Sequence, residues 1–119
     1  MGRMRIRITS VDYAPPELEA QTPIDAELLK AIPGPDRADY WIAAVTKPIR
    51  WVRDRTELSV THIIVTARWQ GTQIGPGMQQ LPIGIAYVVD ESVLGDSSLD
   101  LKKCAYVAVG IGEELRSTF

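Results

Sequence analysis

Hydrophobic and polar residues alternate strictly over residues 3–9, RMRIRIT, near the start of the chain. Three apolar residues share one parity of this stretch, and three arginines share the other. A period of two is typical of a β-strand that buries one face, so a first strand is predicted here, with its arginines pointing away from the core. The inward residues are Met4, Ile6 and Ile8, and the outward residues are Arg3, Arg5 and Arg7.

One main helix is predicted over residues 23–32, after a proline-containing loop at residues 12–23. Thr22 is a suitable cap residue and Pro23 suits a first helical turn. A Pro-Gly-Pro run at residues 33–35 then ends the helix. The apolar residues at helical spacing are Ile24, Leu28, Ala31 and Ile32.

Four further strands are predicted. Residues 40–52 are rich in β-formers, with a bulge or an edge position expected at Pro48. Residues 58–70 alternate, and a long loop at residues 71–80 separates them from an antiparallel neighbour at residues 81–89. The residues predicted to face inward in these two strands are Ile63, Val65, Ala67 and Trp69, then Leu81, Ile83, Ile85, Tyr87 and Val89.

A last strand is predicted over residues 103–111, after a segment with turn and short-helix signals at residues 90–102. Its predicted inward residues are Ala105, Val107, Val109 and Ile111. About five mostly antiparallel strands with one main helix predict an α+β fold, and no linker or repeat divides residues 1–119, so a single domain is expected. A small half-closed β-barrel is the alternative, because glycines in the later strands permit strong curvature.

Composition and charge narrow the class of protein. The 119 residues are 45% hydrophobic and 24% charged, as in ordinary globular domains. No apolar run is long enough for a membrane helix, and no secretory signal is apparent. Cys104 is the only cysteine, which excludes an internal disulfide and favours a reducing, cytoplasmic location. The net charge of −2 is uneven, since residues 47–55 are basic and the last third is acidic.

Candidate catalytic residues are His62 and Cys104, whose side chains meet only if their strands are neighbours. A structural role for each is the simpler reading. One histidine and one cysteine in separate segments do not make a metal site, so no metal is predicted. The glycine-rich stretches at residues 71–77 and 110–112 lack the residues that bind phosphate, so no cofactor is predicted either.

The basic and aromatic residues suggest binding. Arginine and tryptophan are favoured at protein interfaces, and Arg50, Trp51 and Arg53 lie together in the basic stretch. The leading hypothesis is a non-catalytic binding or regulatory module that self-associates as a homodimer through the first strand and residues 47–55.

Two alternatives remain open. In a small enzyme, His62 would act as acid or base under the 71–80 loop while Arg68 holds an anionic substrate. In a nucleic-acid-binding protein, the spacing of Arg3, Arg5 and Arg7 along a strand would match successive phosphates. The net negative charge argues against nucleic acid as a partner.

Overall fold

A computed structural model describes residues 4–14, 16–34, 40–53, 55–69 and 71–115, without the side chains of residues 51, 53, 106 and 107. Six antiparallel strands form a closed barrel in chain order, and the last strand pairs with the first. The strands are β1 (Arg5–Asp12), β2 (Ile24–Ile32), β3 (Tyr40–Arg53), β4 (Thr56–Ala67), β5 (Leu81–Val88) and β6 (Cys104–Glu114). A helical turn, α1 (Pro16–Glu19), precedes β2, and two 3-10 turns, Glu91–Gly95 and Leu101–Lys103, precede β6.

The helix predicted over residues 23–32 is wrong, because this segment is strand β2. Its first apolar residues alternate, and Ile24, Ala26 and Leu28 are all buried inside the barrel. A register shift between Leu28 and Lys30 then changes the parity, so Ile32 packs in a second cluster outside the barrel. A bulged strand can therefore carry apolar residues at a spacing that imitates a helix.

The prediction for β1 is confirmed, since Ile6 and Ile8 have no exposed surface. Because β1 pairs with β2 on one edge and β6 on the other, the barrel is closed rather than half-closed. Closure replaces the predicted α+β sheet, and within the described residues the only α-helix is the four-residue α1. No described helix is long and apolar enough to cross a bilayer.

Strand β6 departs from the predicted parity. Ala105 packs against the core as expected, but a register shift opposite Ile85 and Ala86 inserts one extra residue into β6. Beyond it the inward positions are Ala108, Gly110 and Gly112, so the prediction that Val109 and Ile111 face inward is wrong; the side chain of Val107 lies outside the description. These small residues fit a barrel wall where a Cβ at Gly110 would lie 2.6 Å from the Ser10 carbonyl oxygen.

Connections close the ends of the barrel. Leu18 of α1 is buried in the interior cluster, and so are Ile74 and Met78 of the β4–β5 connection. The predicted loop at residues 71–80 is present, but it is not a mobile surface loop, because Ile74 and Met78 pack into the barrel interior. The prediction that Trp69 and Val89 face inward is wrong, because each lies beyond the end of its strand and is exposed, at 54% and 56%.

A second hydrophobic cluster lies on the outer surface of the barrel. It is covered by the β5–β6 connection, which is joined to β2 by a bond from Lys30 Nζ to the Asp96 carbonyl oxygen. A 2.6 Å ion pair between Lys103 Nζ and Asp96 Oδ2 lies within the connection itself. The buried residues of this cluster are Ile32, Ile42, Ile64, Val93 and Leu99. This side of the barrel is therefore covered by the chain itself.

Candidate functional site

Strands β3 and β4 extend beyond the barrel as a two-stranded arm. The last β3 residue in register with β2 is Val45, and the first β4 residue in register with β5 is Ile63. Between these points β3 and β4 continue to pair with each other as far as Arg53 and Thr56. We call residues 46–53 and 55–61 the arm.

The local sequence explains where the arm leaves the barrel. Pro48 lies in the register shift between Ala44 and Ile49, where its missing N–H removes no ladder bond. Ile49 and Val60, which face each other at the base of the arm, are buried in the interior cluster. The arm is therefore anchored by apolar packing at its base.

The outer edge of β3 is covered by one side chain. The Arg50 backbone N–H donates to Gln21 Oε1 at 2.8 Å, and Gln21 Nε2 donates to the Arg50 carbonyl oxygen at 2.8 Å. Both backbone groups of Arg50 therefore point away from β4. Since Ser59 lies directly opposite Arg50, the two residues form a non-hydrogen-bonded pair of the antiparallel ladder.

It follows that the N–H and C=O of Ser59 point away from β3, toward the outer edge of β4. Backbone direction alternates along the regularly paired part of a strand, so the same groups of Glu57 also point outward. The register shift between Val60 and His62 then reverses this direction, because Val60 and Ile63, three residues apart, both face the interior. Beyond the shift the even-numbered residues of β4 point to β5, as Arg68 does when its N–H donates to the Pro82 carbonyl oxygen. Among the described residues, no strand pairs with the outer edge of β4 before Ile63.

A groove of about 360 Å³ lies between this open edge and the end of β5. The buried side chains of Val60 and Tyr87 contribute apolar surface to it, and His62 and Glu91 are among its polar walls. A second groove of about 750 Å³ lies on the other side of the arm, between β3 and α1, and includes Gln21. Each edge of the arm thus borders a groove; among the described residues, Gln21 covers the β3 edge at Arg50, and no comparable bond covers the β4 edge at Ser59.

The arginines of β1 face outward, as predicted, and carboxylates flank them. Arg7 Nε donates to Asp25 Oδ1 at 2.8 Å and Arg7 Nη2 donates to Oδ2 at 3.1 Å. This bidentate bond lowers the pKa of the Asp25 carboxyl below its ordinary value. Arg7 also faces Glu113 of β6, while Arg5 faces Glu27 of β2. Arg5 and Arg7 therefore lie opposite carboxylates of the neighbouring strands of the same barrel. Arg3 lies outside the described residues.

The predicted catalytic residues do not converge. His62 is on the groove wall, with Nδ1 2.9 Å from Thr61 Oγ1. Cys104 is on β6, and strand β5 separates it from β4, so the condition for a thiol–imidazole pair is not met. Burial raises the pKa of the Cys104 thiol, which disfavours the reactive thiolate.

Arg68 follows the opposite end of β4 from the arm. Its guanidinium carbon lies 4.9 Å from the Trp69 ring centroid, beside the 71–80 connection. Arg68 is six positions after His62, or about 20 Å along an extended chain. A substrate held by Arg68 under that connection would be out of reach of His62.

Of the predicted binding residues on the arm, Arg50 is exposed, while the side chains of Trp51 and Arg53 lie outside the description. No group of three potential metal ligands occurs among the described residues. The sequence indicated the basic stretch but missed Gln21 and Ser59, because their role is to cover or expose backbone groups. Polar alternation at Glu57, Ser59 and Thr61 is the one signal of an exposed edge.

Comparisons with known proteins give no relative. No protein-family model matches the chain, and no curated protein and no solved structure is significantly similar to it. The function is therefore argued from the geometry of the arm.

Proposed function

We propose that the protein is a non-catalytic binding module that pairs the open edge of β4 with an extended polypeptide segment, and that a second copy of the chain supplies this segment. One observation carries the proposal: the backbone groups of Glu57 and Ser59 point outward, where β5 no longer pairs with β4. An exposed row of strand N–H and C=O groups is a template for adding another strand. The adjoining groove provides space beside that row.

A second copy fits this edge by two-fold symmetry. If the β4 edges meet antiparallel with Ser59 facing Ser59, the two Glu57 residues lie on opposite sides of the two-fold axis and do not face each other. The two arms then form one four-stranded sheet. Val52, which is 57% exposed and lies opposite Glu57, adds apolar surface to its outward face.

Charge supports the same pairing. In this register the segment of one copy that precedes Ser59 runs along the groove of the other, which brings the turn residue Arg55 toward the end of the groove. Glu91 is part of the groove wall, and both Arg55 and Glu91 are exposed. Opposite charges at the rim of an interface favour the correct partner and its register.

Binding is better supported than catalysis because the groups that an enzyme would need are dispersed. His62 is in the groove, Arg68 is beyond the far end of β4, and Cys104 is two strands away. The arginine row gives little support to nucleic-acid binding, since Arg7 is already held by Asp25. The interface proposal accordingly centres on the arm rather than on β1.

The test is Ser59→Pro, with Ser59→Ala as the matched control. Proline removes the outward N–H of Ser59 but no β3–β4 ladder bond, and two such bonds per dimer are lost. At about 1 kcal/mol for each bond, the dissociation constant should rise about 30-fold or more. Sedimentation velocity over a concentration series measures it, with circular dichroism as the check on folding.

The alanine control should dimerise like the wild-type chain, because it keeps every backbone group. A folded Ser59→Pro variant that dimerises as tightly as the wild type would contradict the proposal. A wild-type chain that remains monomeric at every concentration would contradict self-association.

A further inference from the structure

The side-chain amide of Gln21 takes the place of a neighbouring strand. Its Nε2 donates to the carbonyl oxygens of Glu17 at 2.7 Å and Arg50 at 2.8 Å, and its Oε1 accepts the Arg50 N–H at 2.8 Å. Both amide hydrogens are therefore used. Arg50 receives from one side chain the two bonds that an added strand would supply.

This side chain is held in place by the segment that carries it. Glu17, which accepts one of the amide hydrogens, belongs to α1, and the next residue, Leu18, is only 2% exposed inside the barrel. Thr22 Oγ1 donates to the Glu19 carbonyl oxygen at 2.7 Å and fixes the turn after the helix. The position of Gln21 is thus tied to the core.

One covering residue is sufficient on this edge. Pro48, two residues before Arg50, has no N–H to offer to an incoming strand, so Arg50 is the central donor of the β3 edge. The groove between α1 and β3 has a volume of about 750 Å³, and Gln21 forms part of its wall. Without the amide, that groove would give a strand access to β3.

We infer that Gln21 is a specificity-determining residue that guards the β3 edge, restricts strand addition to β4, and so closes the assembly at two copies. The inference rests on the proposed function. A module with one open edge per arm forms a closed two-fold dimer, because the open edge of each copy pairs with the open edge of the other and none remains. A module with two open edges binds a neighbour on each side and forms open-ended chains.

The test compares Gln21→Ala with the wild type and with the double variant Gln21→Ala/Ser59→Pro by sedimentation velocity. For Gln21→Ala, the mass should grow with concentration beyond twice the chain mass of 13.2 kDa. The double variant, with only its β3 edge open, should stop at twice that mass. A folded Gln21→Ala variant that keeps the wild-type mass at every concentration would overturn the inference.

If the proposed dimer through β4 does not form, the same variants should give a different set of masses. If the wild-type chain is a monomer, Gln21→Ala should still associate through β3, and adding Arg50→Pro should return it to a monomer. If the wild type and Gln21→Ala associate to the same extent, Gln21 does not block the β3 edge, and the proposal of a dimer through β4 is unaffected.

A measurement on the wild-type chain covers the case in which Gln21→Ala does not fold. The Arg50 amide should exchange its hydrogen about tenfold more slowly than the amide of Val52, which lies two residues further along the same edge without the glutamine. Equal exchange rates for Arg50 and Val52 would overturn the inference.

Discussion

Arg7 and Arg50 both project from the outside of the molecule, but their surroundings differ. The guanidinium of Arg7 is bound by both oxygens of Asp25, so its charge is matched within the barrel wall. Arg50 is exposed on the arm, and it is its backbone that Gln21 binds. At the scale of single residues, the binding surface is decided by backbone direction more than by side-chain charge.

Gly110 allows a direct test of how tightly the wall is built. A Cβ there would lie 2.6 Å from the Ser10 carbonyl oxygen, whereas a Cβ at Gly84 would meet only Thr66 Cγ2 at 3.6 Å. Gly110→Ala should therefore lower the free energy of unfolding by about 1–3 kcal/mol, as overpacking does. Gly84→Ala, the matched control, should change it little. Chemical denaturation measures both, and equal losses would contradict the packing described.

At the scale of elements, the strands with a clear period of two were predictable. The alternation at Ile6 and Ile8 and at Ile63 and Val65 correctly indicated inward faces. Strand β2 was not predictable in this way, because its bulge turns Ile32 to the opposite face from Leu28 although the two residues are an even number of positions apart. In β6, one inserted residue reverses the faces, and this depends on pairing with β5 rather than on the local sequence.

The β4–β5 connection is a second element whose packing role was not predicted from the sequence. Glycine and proline correctly predicted a loop, but Ile74 and Met78 are buried and plug the barrel. Ile74→Ala should lower the free energy of unfolding by about 2–5 kcal/mol, the usual cost of removing a large core side chain. The exposed neighbour Gln73, changed to Ala, is the control and should have a small effect in the same denaturation experiment. A loss below about 1 kcal/mol for Ile74→Ala would contradict the tight packing of the loop against the barrel interior.

At the scale of the whole molecule, the arm follows from unequal strand lengths. Strands β3 and β4 have 14 and 12 residues, while their outer neighbours β2 and β5 have 9 and 8. Two long strands that share a barrel with shorter neighbours must continue past them as a pair. The sequence predicted both long strands and the basic stretch 47–55, but the open edge appears only once the neighbours are known.

The central claim is that the β4 edge is open in the single chain and paired in the assembly. Hydrogen exchange at the Ser59 amide, measured on the wild-type chain from high dilution upward, tests it most directly. Ile63, four residues further along β4 and paired with Ala43 of β3 inside the barrel, is the internal reference. We expect Ser59 to exchange fast on dilution and to become protected as the chain associates, while Ile63 stays protected throughout. A Ser59 amide that is protected in the monomer, or that stays fast in the dimer, would contradict the account.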